Sequence, residues 1–270
     1  MWKLVYKKKF KHRNKIVCML GMNVILIFCV LILFPSTIFA FGFSSWDQLL
    51  KENINSKVIS GIKINAFNYK NIKSDPLYLK LIKDLRNYNL ANLKTKNDKL
   101  AFWINVYNIM AVKMVLDNYP IKSIKDLDSL FKPVWKKEVG AIGGTIFTLN
   151  DIEHKILRQM GESRIHVAIV CASVSCPDLR KEAYKPEKLD EQLDDQLTKF
   201  LANQGKGLKI DLAANKLYLS SIFKWFEEDF ESNGGVVSYL TNYVDSRYKL
   251  ILKSGKLKIR YLIYDWGLNE

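Results

Sequence analysis

The chain has 270 residues, 49% of them hydrophobic, and a formal net charge of +15 from 42 Lys and Arg against 27 Asp and Glu. This apolar content is sufficient for a folded core and excludes a disordered chain. Seven basic residues and no acidic residue lie in residues 1–42, so the remainder carries a charge of only +8. Its lysines are scattered among acidic residues without an Arg-rich stripe, which excludes the usual footprint of a nucleic-acid-binding protein.

Residues 1–42 have the form of a targeting segment. The seven basic residues are followed by an apolar run at residues 16–34 and then by small residues at Ala40 and Gly42. This order is typical of a secretory signal peptide, although the run also approaches the roughly 18–20 residues that span a bilayer. We favour a cleaved signal peptide over an uncleaved membrane anchor. In both cases residues 43–270 are exported to a periplasmic or extracellular space, and only the N-terminal segment contacts a membrane.

Three helices are predicted next in the chain. The first begins at Ser44, and the second begins at Pro76, since proline is accepted in the first turn of a helix. The third runs from Thr95 to about Asp117 and is apolar on nearly every face, so we expect it to be the central buried helix.

Shorter elements follow. A strand pair surrounds Gly143-Gly144, and Asn150 with Glu153 resembles a capping box that opens a helix. Residues 164–171 form the clearest predicted strand, apolar on both faces. The sequence then predicts a helix over 186–202, strands over 208–211 and 216–219, a helix after Ser220 or Ser221, and a closing strand over 256–263.

Together these elements predict an α+β fold. We expect a single mixed domain over residues 43–270, with its core at about 91–230. Its helix-rich N-terminal half would pack on a central sheet, with the strand over 164–171 in the middle of that sheet.

The scarce reactive side chains of residues 43–270 are clustered. The only histidines are His154 and His166, and the only cysteines are Cys171 and Cys176. Cys171 also ends the predicted strand, where open α/β sheets tend to place their sites. The cluster therefore predicts a functional site.

A cysteine–histidine enzyme is the first interpretation of this cluster. Cys171 or Cys176 would be the thiolate nucleophile, and His154 or His166 the base that accepts its proton. We favour His154 because it lies on a predicted helix, whereas His166 lies inside a predicted buried strand.

Three further residues could orient the imidazole: Glu153, Asn105 and Asn108. The two asparagines are three positions apart on the long helix and share one face. Polar side chains on an otherwise apolar helix need hydrogen-bond partners, whether these are catalytic or structural.

Three other interpretations of the cluster stay open. An oxidising compartment favours a Cys171–Cys176 disulfide. Two cysteines and two histidines could bind zinc, but their spacing matches no usual structural-zinc pattern. His166 could also be a core histidine bonded to backbone. We predict no cofactor and no metal.

Two polar and aromatic clusters are assigned no site role. The aromatic residues of 223–226 and 261–266 are predicted to pack in the core. Glu227, Glu228 and Asp229 are consecutive on a predicted helix and point in different directions, so we expect them to be solvated.

Four ordered blocks resemble the domain of unknown function 547 family. They lie at residues 102–108, 150–158, 164–177 and 219–230, and residues 264–266 are similar to the family's ending. The family occurs in bacterial exported proteins and plant proteins, and no settled activity follows from it. The resemblance implies that the motif positions are Asn105, Tyr107, Asn108, Glu153, His154, His166, Cys171, Ser175 and Cys176.

Two functions are compatible with these features. The first is an exported cysteine/histidine-dependent hydrolase or acyltransferase. The alternative is a non-catalytic binding or interaction module that contains a Cys171–Cys176 disulfide. In either case we expect a small-molecule or peptide ligand and no nucleic-acid partner.

Overall fold

The long helix Lys96–Asp117 is the element around which the others pack. In the computed structural model, which describes residues 41–270, almost every residue of this helix from Leu100 onward is buried. Thr95 caps it, since its hydroxyl accepts from the Asp98 N–H at 3.0 Å and the Asp98 carboxylate accepts from the Thr95 N–H at 2.8 Å. An apolar surface on all sides requires an interior position, as the sequence predicts.

This helix has a second property that follows from its composition. Among residues 41–270 it is the one helix whose length and apolar character would suffice to cross a membrane, and it is largely buried within the protein. The predicted targeting segment, residues 1–42, lies outside the described residues apart from its last two.

The helical elements alternate with short strands along the chain. The α-helices are α1 (Ser44–Asn53), α2 (Tyr69–Ile72), α3 (Pro76–Asn87), α4 (Lys96–Asp117), α5 (Ile165–Ala168), α6 (Leu189–Ala202), α7 (Ile222–Trp225), α8 (Val236–Leu240) and α9 (Ser246–Lys253). A π-helix covers Asp151–Leu157, and 3-10 helices cover Leu90–Asn92, Ile124–Leu127, Val134–Lys136, Arg158–Met160, Pro186–Lys188 and Glu227–Asn233.

The described strands form three small sheets. They are β1 (Ile54–Ile59), β2 (Ile62–Phe67), β3 (Glu138–Ile142), β4 (Thr145–Thr148), β5 (Leu208–Asp211), β6 (Lys216–Leu219) and β7 (Lys258–Tyr261). The pairs β1–β2 and β3–β4 are antiparallel, and the third sheet has the order β5-β6-β7, with β7 parallel to β6. The mixed α+β class is confirmed, but the core is centred on α4 rather than on a central sheet.

The strand predicted over residues 164–171 is wrong. Ile165–Ala168 forms one helical turn, and residues 169–171 are not part of any sheet. An apolar run this short is compatible with a buried helical turn as well as with a buried strand, so its composition does not distinguish between these two structures. Cys171 therefore does not lie at the end of a sheet strand.

The side chain of Asn108 holds the segment before Cys171 in place of a neighbouring strand. Its Nδ2 donates to the Ala168 carbonyl at 3.0 Å, and its Oδ1 accepts from the Val170 N–H at 2.8 Å. Asn105 makes the same pair of bonds to the carbonyl and N–H of Tyr184, at 2.8 and 2.9 Å. The two asparagines on the predicted polar face of α4 thus each hold a backbone segment through a pair of hydrogen bonds. We call each such pair a backbone clamp.

The loop that carries both cysteines is clamped from its other side by the C-terminal segment, residues 264–269. The Val174 N–H donates to the Gly267 carbonyl at 2.8 Å, and the Asn269 N–H donates to the Ala172 carbonyl at 3.1 Å. The Ser175 hydroxyl also accepts from the Asp265 N–H at 2.9 Å. These bonds satisfy buried backbone groups that would otherwise be unpaired.

Lys206 ties the end of the same loop to the rest of the fold. It is only 2% exposed, and its Nζ donates to the Cys176 carbonyl at 2.9 Å and to the Asp178 carboxylate at 2.7 Å. A buried ammonium is tolerated because it is paired with a carboxylate and hydrogen-bonded.

The Asn108 clamp predicts a large effect of a small substitution. In N108A, the buried Ala168 carbonyl and Val170 N–H both lose their partner, so we expect the free energy of unfolding to fall by about 2–4 kcal/mol. Urea denaturation of the variant measures this change. N55A, at an exposed strand position, is the matched control and should change stability by less than about 0.5 kcal/mol. Equal stabilities of the two variants would contradict the clamp.

Candidate active site

A pocket of about 160 Å³ opens beside the cysteine loop. Its polar lining comes from the π-helix, α4, α5 and the cysteine loop, and its aromatic lining comes from α7, the 3-10 helix before β3, and the C-terminal segment. The lining residues are Tyr107, Trp135, Asn150, Glu153, His154, His166, Ile169, Cys171, Cys176, Ile222, Trp225, Phe226, Tyr264 and Trp266. Five of the seven predicted site residues therefore lie at one pocket.

The two cysteines are free thiols in direct contact. Their Sγ atoms are 2.8 Å apart, and the Cys176 Sγ also accepts from the Cys171 N–H at 2.8 Å. Cys171 is half-buried, whereas Cys176 is 3% exposed. The thiol of Cys171 is thus the more accessible one from the pocket.

Polar groups around Cys171 favour its thiolate form. Its Sγ lies 3.1 Å from the Ser173 hydroxyl and 3.4 Å from the Tyr264 hydroxyl. Burial acts to raise the pKa of Cys171, but hydrogen bonds from Cys176, Ser173 and Tyr264 outweigh it and lower the pKa to about 7. Burial and the contact with Cys171 raise the pKa of Cys176, so the buried thiol keeps its proton.

The backbone turns sharply directly after Cys171. Ala172 has φ +63°, in the left-handed region that residues with a Cβ seldom adopt. Such a conformation costs of order 1 kcal/mol and persists where the surroundings impose it, here through the bonds to residues 264–269.

Glu153 carries a carboxyl group with a raised pKa at the same pocket. Its Oε2 accepts from the Tyr107 hydroxyl at 3.2 Å. Burial raises the pKa of Glu153 to about 7, against the opposing effects of the Tyr107 hydrogen bond and Arg158. The carboxyl group can therefore both donate and accept a proton near neutral pH.

His166 is fixed between Asp229 and Phe226. Its Nε2 lies 2.6 Å from the Asp229 Oδ2, and its ring stacks on Phe226 with centroids 4.0 Å apart. Burial lowers the pKa of His166 to about 4, despite the nearby carboxylate, so the ring is neutral near pH 7 and donates to Asp229 through Nε2–H. Its Nδ1 is then a lone-pair acceptor, and it has no protein partner among residues 41–270.

Arg158 determines which ring nitrogen of His154 carries the proton. Its guanidinium binds the Asp229 carboxylate through two bonds of 2.7 Å, and its Nη1 lies 3.1 Å from the His154 Nδ1. Because a guanidinium only donates, Nδ1 of His154 must accept and its proton must lie on Nε2. Burial and Arg158 both lower the pKa of His154, which keeps the ring neutral.

The asparagines do not orient an imidazole. Asn105 and Asn108 use both ends of their amides on the backbone bonds described above, and neither lines the pocket. Glu153 bonds to Tyr107 rather than to His154. Within residues 41–270, no three His, Cys, Asp or Glu side chains come together as a metal site, so the two cysteines and two histidines are not arranged for zinc.

Several residues of the site were assigned elsewhere by the sequence interpretation. Asp229 is not a solvated residue of a charged face but the partner of Arg158 and His166. Trp225 is 48% exposed and stacks on Trp266, with centroids 5.7 Å apart, so it lines the pocket rather than the core. Phe223 is fully buried, as predicted. The signal for Asp229 was its place in a motif block beside Trp225.

The predicted capping box at Asn150 is also wrong. Asn150 has helical backbone angles and makes no side-chain cap, whereas Thr148 accepts from the Asp151 N–H at 3.0 Å. The Asp151 carboxylate in turn accepts from the Thr148 N–H at 3.1 Å. The cap lies two residues earlier, which leaves Asn150 and Glu153 at the pocket.

The fold and pocket define a mixed α+β protein with an accessible, low-pKa thiol. The model of the family described as protein of unknown function, DUF547, matches residues 90–201 of the chain. This part of the chain is therefore similar to the DUF547 family, as its motifs predicted. A search of curated proteins gives no match, and a search of solved structures gives none. Asp229 and Tyr264 lie beyond the matched region.

The low pKa of Cys171 predicts a specific pH dependence of alkylation. The rate of reaction with iodoacetamide should rise with pH and reach half its maximum near pH 7, against about 8.5 for an ordinary cysteine. In Y264F the thiolate loses a hydrogen-bond donor, so the pKa of Cys171 rises and the half-maximum moves to higher pH. Peptide mass spectrometry identifies the alkylated residue.

The matched control for this experiment is Y261F. Tyr261 is an exposed tyrosine of β7 that does not line the pocket. Its variant should titrate like the wild type. If Y264F also titrates like the wild type, the hydroxyl does not stabilise the thiolate.

Proposed function

We propose that the pocket is the active site of a cysteine-dependent hydrolase or acyltransferase, with Cys171 as the nucleophile. One observation carries the proposal: the half-buried Cys171 thiol lines the pocket, with the Ser173 and Tyr264 hydroxyls 3.1 and 3.4 Å from its sulfur. These hydrogen bonds lower the pKa of Cys171 and so favour the thiolate, which is the reactive form. Hydrogen bonds to the sulfur supply this activation, so a base bonded to the thiol is not required.

In this proposal Glu153 is the general acid and base, and His154 is a hydrogen-bond donor. His154 is poorly suited to accept a proton because Arg158 occupies Nδ1 and Nε2 already carries a proton. Glu153 has a pKa of about 7, close to the value at which a group transfers protons most effectively near neutral pH.

His166 is proposed as an acceptor for the ligand or for water. Asp229 accepts its Nε2–H and fixes the ring, while the unpartnered Nδ1 belongs to a pocket-lining side chain. A buried acceptor without a partner is costly unless a bound group satisfies it. An N–H or O–H of the substrate would do so.

The proposed reaction has two steps. The Cys171 thiolate attacks the acyl carbon, a carbon–sulfur bond forms, and the bond to the leaving group breaks as protonated Glu153 gives it a proton. Water or an acceptor alcohol or amine then attacks the thioester, Glu153 takes its proton, and the carbon–sulfur bond breaks to restore the thiolate.

The pocket limits the size of the reacting group. Its volume of about 160 Å³ is close to the roughly 150 Å³ of a cavity that holds one benzene molecule. The walls are mainly aromatic, with Trp225, Tyr264 and Trp266 in mutual contact. These dimensions favour a short apolar acyl group or one side chain of a peptide.

The same aromatic wall favours the alternative function as a binding module. Aromatic side chains supply large contact areas at low conformational cost, and a small molecule or peptide could occupy the pocket without reacting. The Cys171–Cys176 disulfide expected for this function stays a prediction.

Export also belongs to the proposal. The basic and apolar halves of residues 1–42 support a secretory signal peptide, and residues 43–270 would then function in a periplasmic or extracellular space. Sequencing the N-terminus of the protein recovered from the cell that makes it tests this. Cleavage should leave Phe41 or Phe43 as the first residue, and a protein that begins at Met1 in the cytoplasmic fraction would refute export.

The catalytic proposal predicts separate effects for the nucleophile and the acid–base group. With p-nitrophenyl acetate, C171S should form no acyl-enzyme, because the attacking thiolate is lost. E153Q should still be acylated, since this leaving group needs little protonation, but should release acetate about 100-fold more slowly. Stopped-flow absorbance and intact mass measure the burst and the acylated fraction.

E228Q is the control for E153Q, because Glu228 has a side chain that is 87% exposed. It should turn over like the wild type. Acylation of C171S at the wild-type rate would exclude Cys171 as the nucleophile and leave the binding function.

A further inference from the structure

The two sulfur atoms are already placed for bond exchange with each other. They lie 2.8 Å apart, closer than two non-bonded sulfur atoms ordinarily approach. The Cys176 N–H donates to the Ser173 carbonyl at 3.1 Å, so the intervening loop folds back on itself. The Lys206 Nζ donates to the Cys176 carbonyl at 2.9 Å. Both thiols are therefore held face to face by the surrounding fold.

The two thiols also differ in access. Both cysteines line the pocket, but Cys171 is half-buried, whereas Cys176 is 3% exposed and packs in the main core. A reagent in the pocket meets Cys171 first. The sulfur within closest reach of Cys171 is then that of Cys176.

From this arrangement we propose that Cys171 and Cys176 form a thiol–disulfide exchange site, in which Cys171 attacks a small disulfide and Cys176 resolves the product. The substrate class is a low-molecular-weight disulfide whose single sulfur substituent fits beside the aromatic wall. A structural disulfide would not need one accessible and one buried thiol in contact, and neither would a single nucleophilic cysteine.

The exchange balances in two steps. The Cys171 thiolate attacks one sulfur of the disulfide RSSR, forms a mixed disulfide, and releases RS⁻, which takes a proton from water. The Cys176 thiol then loses its proton to solvent and attacks the Cys171 sulfur, which releases the second RS⁻. Counted from the dithiol, the protein loses two protons and two electrons, and RSSR takes up the same number to become two molecules of RSH.

The raised pKa of Cys176 fits its part in this sequence. A protonated buried thiol does not compete with Cys171 for the first attack. Burial is the largest cause of the raised pKa of Cys176 and persists, but once Cys171 is in a mixed disulfide its negative charge no longer adds to it.

This inference rests on the accessible thiol of the proposed active site but not on acyl transfer. A disulfide withdraws the thiolate from Cys171, so the two chemistries exclude each other on one molecule at one time. Exchange with disulfides and acylation by an ester can therefore each fail without the other.

The test uses the full chain in buffers with increasing ratios of 2-hydroxyethyl disulfide to 2-mercaptoethanol, whose small substituent fits the pocket. After an acid quench, peptide mapping follows residues 171–176 separately from Cys18 and Cys29. The wild type should lose two hydrogens within this peptide and carry no mercaptoethanol adduct. C176S should retain one mercaptoethanol on Cys171, because the resolving thiol is absent, and C171S should carry none on Cys176.

Three results would overturn the proposal. They are a wild-type pair that stays reduced in 2-hydroxyethyl disulfide, a stable mercaptoethanol adduct on wild-type Cys171, and an adduct on Cys176 in C171S. Reduced wild-type protein assayed in parallel with p-nitrophenyl acetate separates the outcomes. Acylation without disulfide formation would refute only the exchange proposal. Disulfide formation without acylation would refute only the acyl-transfer function.

Discussion

The position of the Cys171 thiol depends on hydrogen bonds to the backbone before and after it, because this segment is not part of a sheet. Residues 168–170 have no neighbouring strand, so the amide of Asn108 takes the place of one. On the other side, residues 264–269 pair with the loop that follows Cys171. A buried backbone group without a partner costs about 1–3 kcal/mol, so these clamps fix the loop to the central helix.

A single carboxylate organises the opposite wall of the pocket. Asp229 binds Arg158 through two bonds and accepts from His166, and Arg158 in turn determines which nitrogen of His154 carries the proton. The carboxylate thereby sets the hydrogen-bonding state of both histidines. One becomes a donor toward its surroundings and the other an acceptor, although their side chains are chemically identical.

The elements predictable from the sequence are those fixed by local interactions. The Pro76 start of α3, the Thr95 cap of α4 and the hairpin of β5 and β6 all depend on residues a few positions apart. The cluster of His154, His166, Cys171 and Cys176 at one pocket was also predictable, because scarce reactive residues lay close together in the chain.

The rest of the site depends on contacts between distant residues. Arg158 and Asp229 are 71 positions apart, and Cys171 and Tyr264 are 93 apart. No periodicity can reveal such pairs. The strand predicted over residues 164–171 was wrong for another reason. A run that is apolar on both faces is compatible with a buried strand and with a buried turn equally well. Asp229 was missed because three consecutive acidic residues resemble a solvated face.

The C-terminal clamp also determines when the site is assembled. During synthesis the ribosome makes both cysteines about 90 residues before Tyr264, and domains fold as their residues emerge. Helix α4 and its neighbours can pack in that interval, but the turn at Ala172 and the hydroxyl beside Cys171 must await residues 264–269. The contact with Tyr264 that helps to lower the pKa of Cys171 can therefore form only after the C-terminal segment has been synthesised.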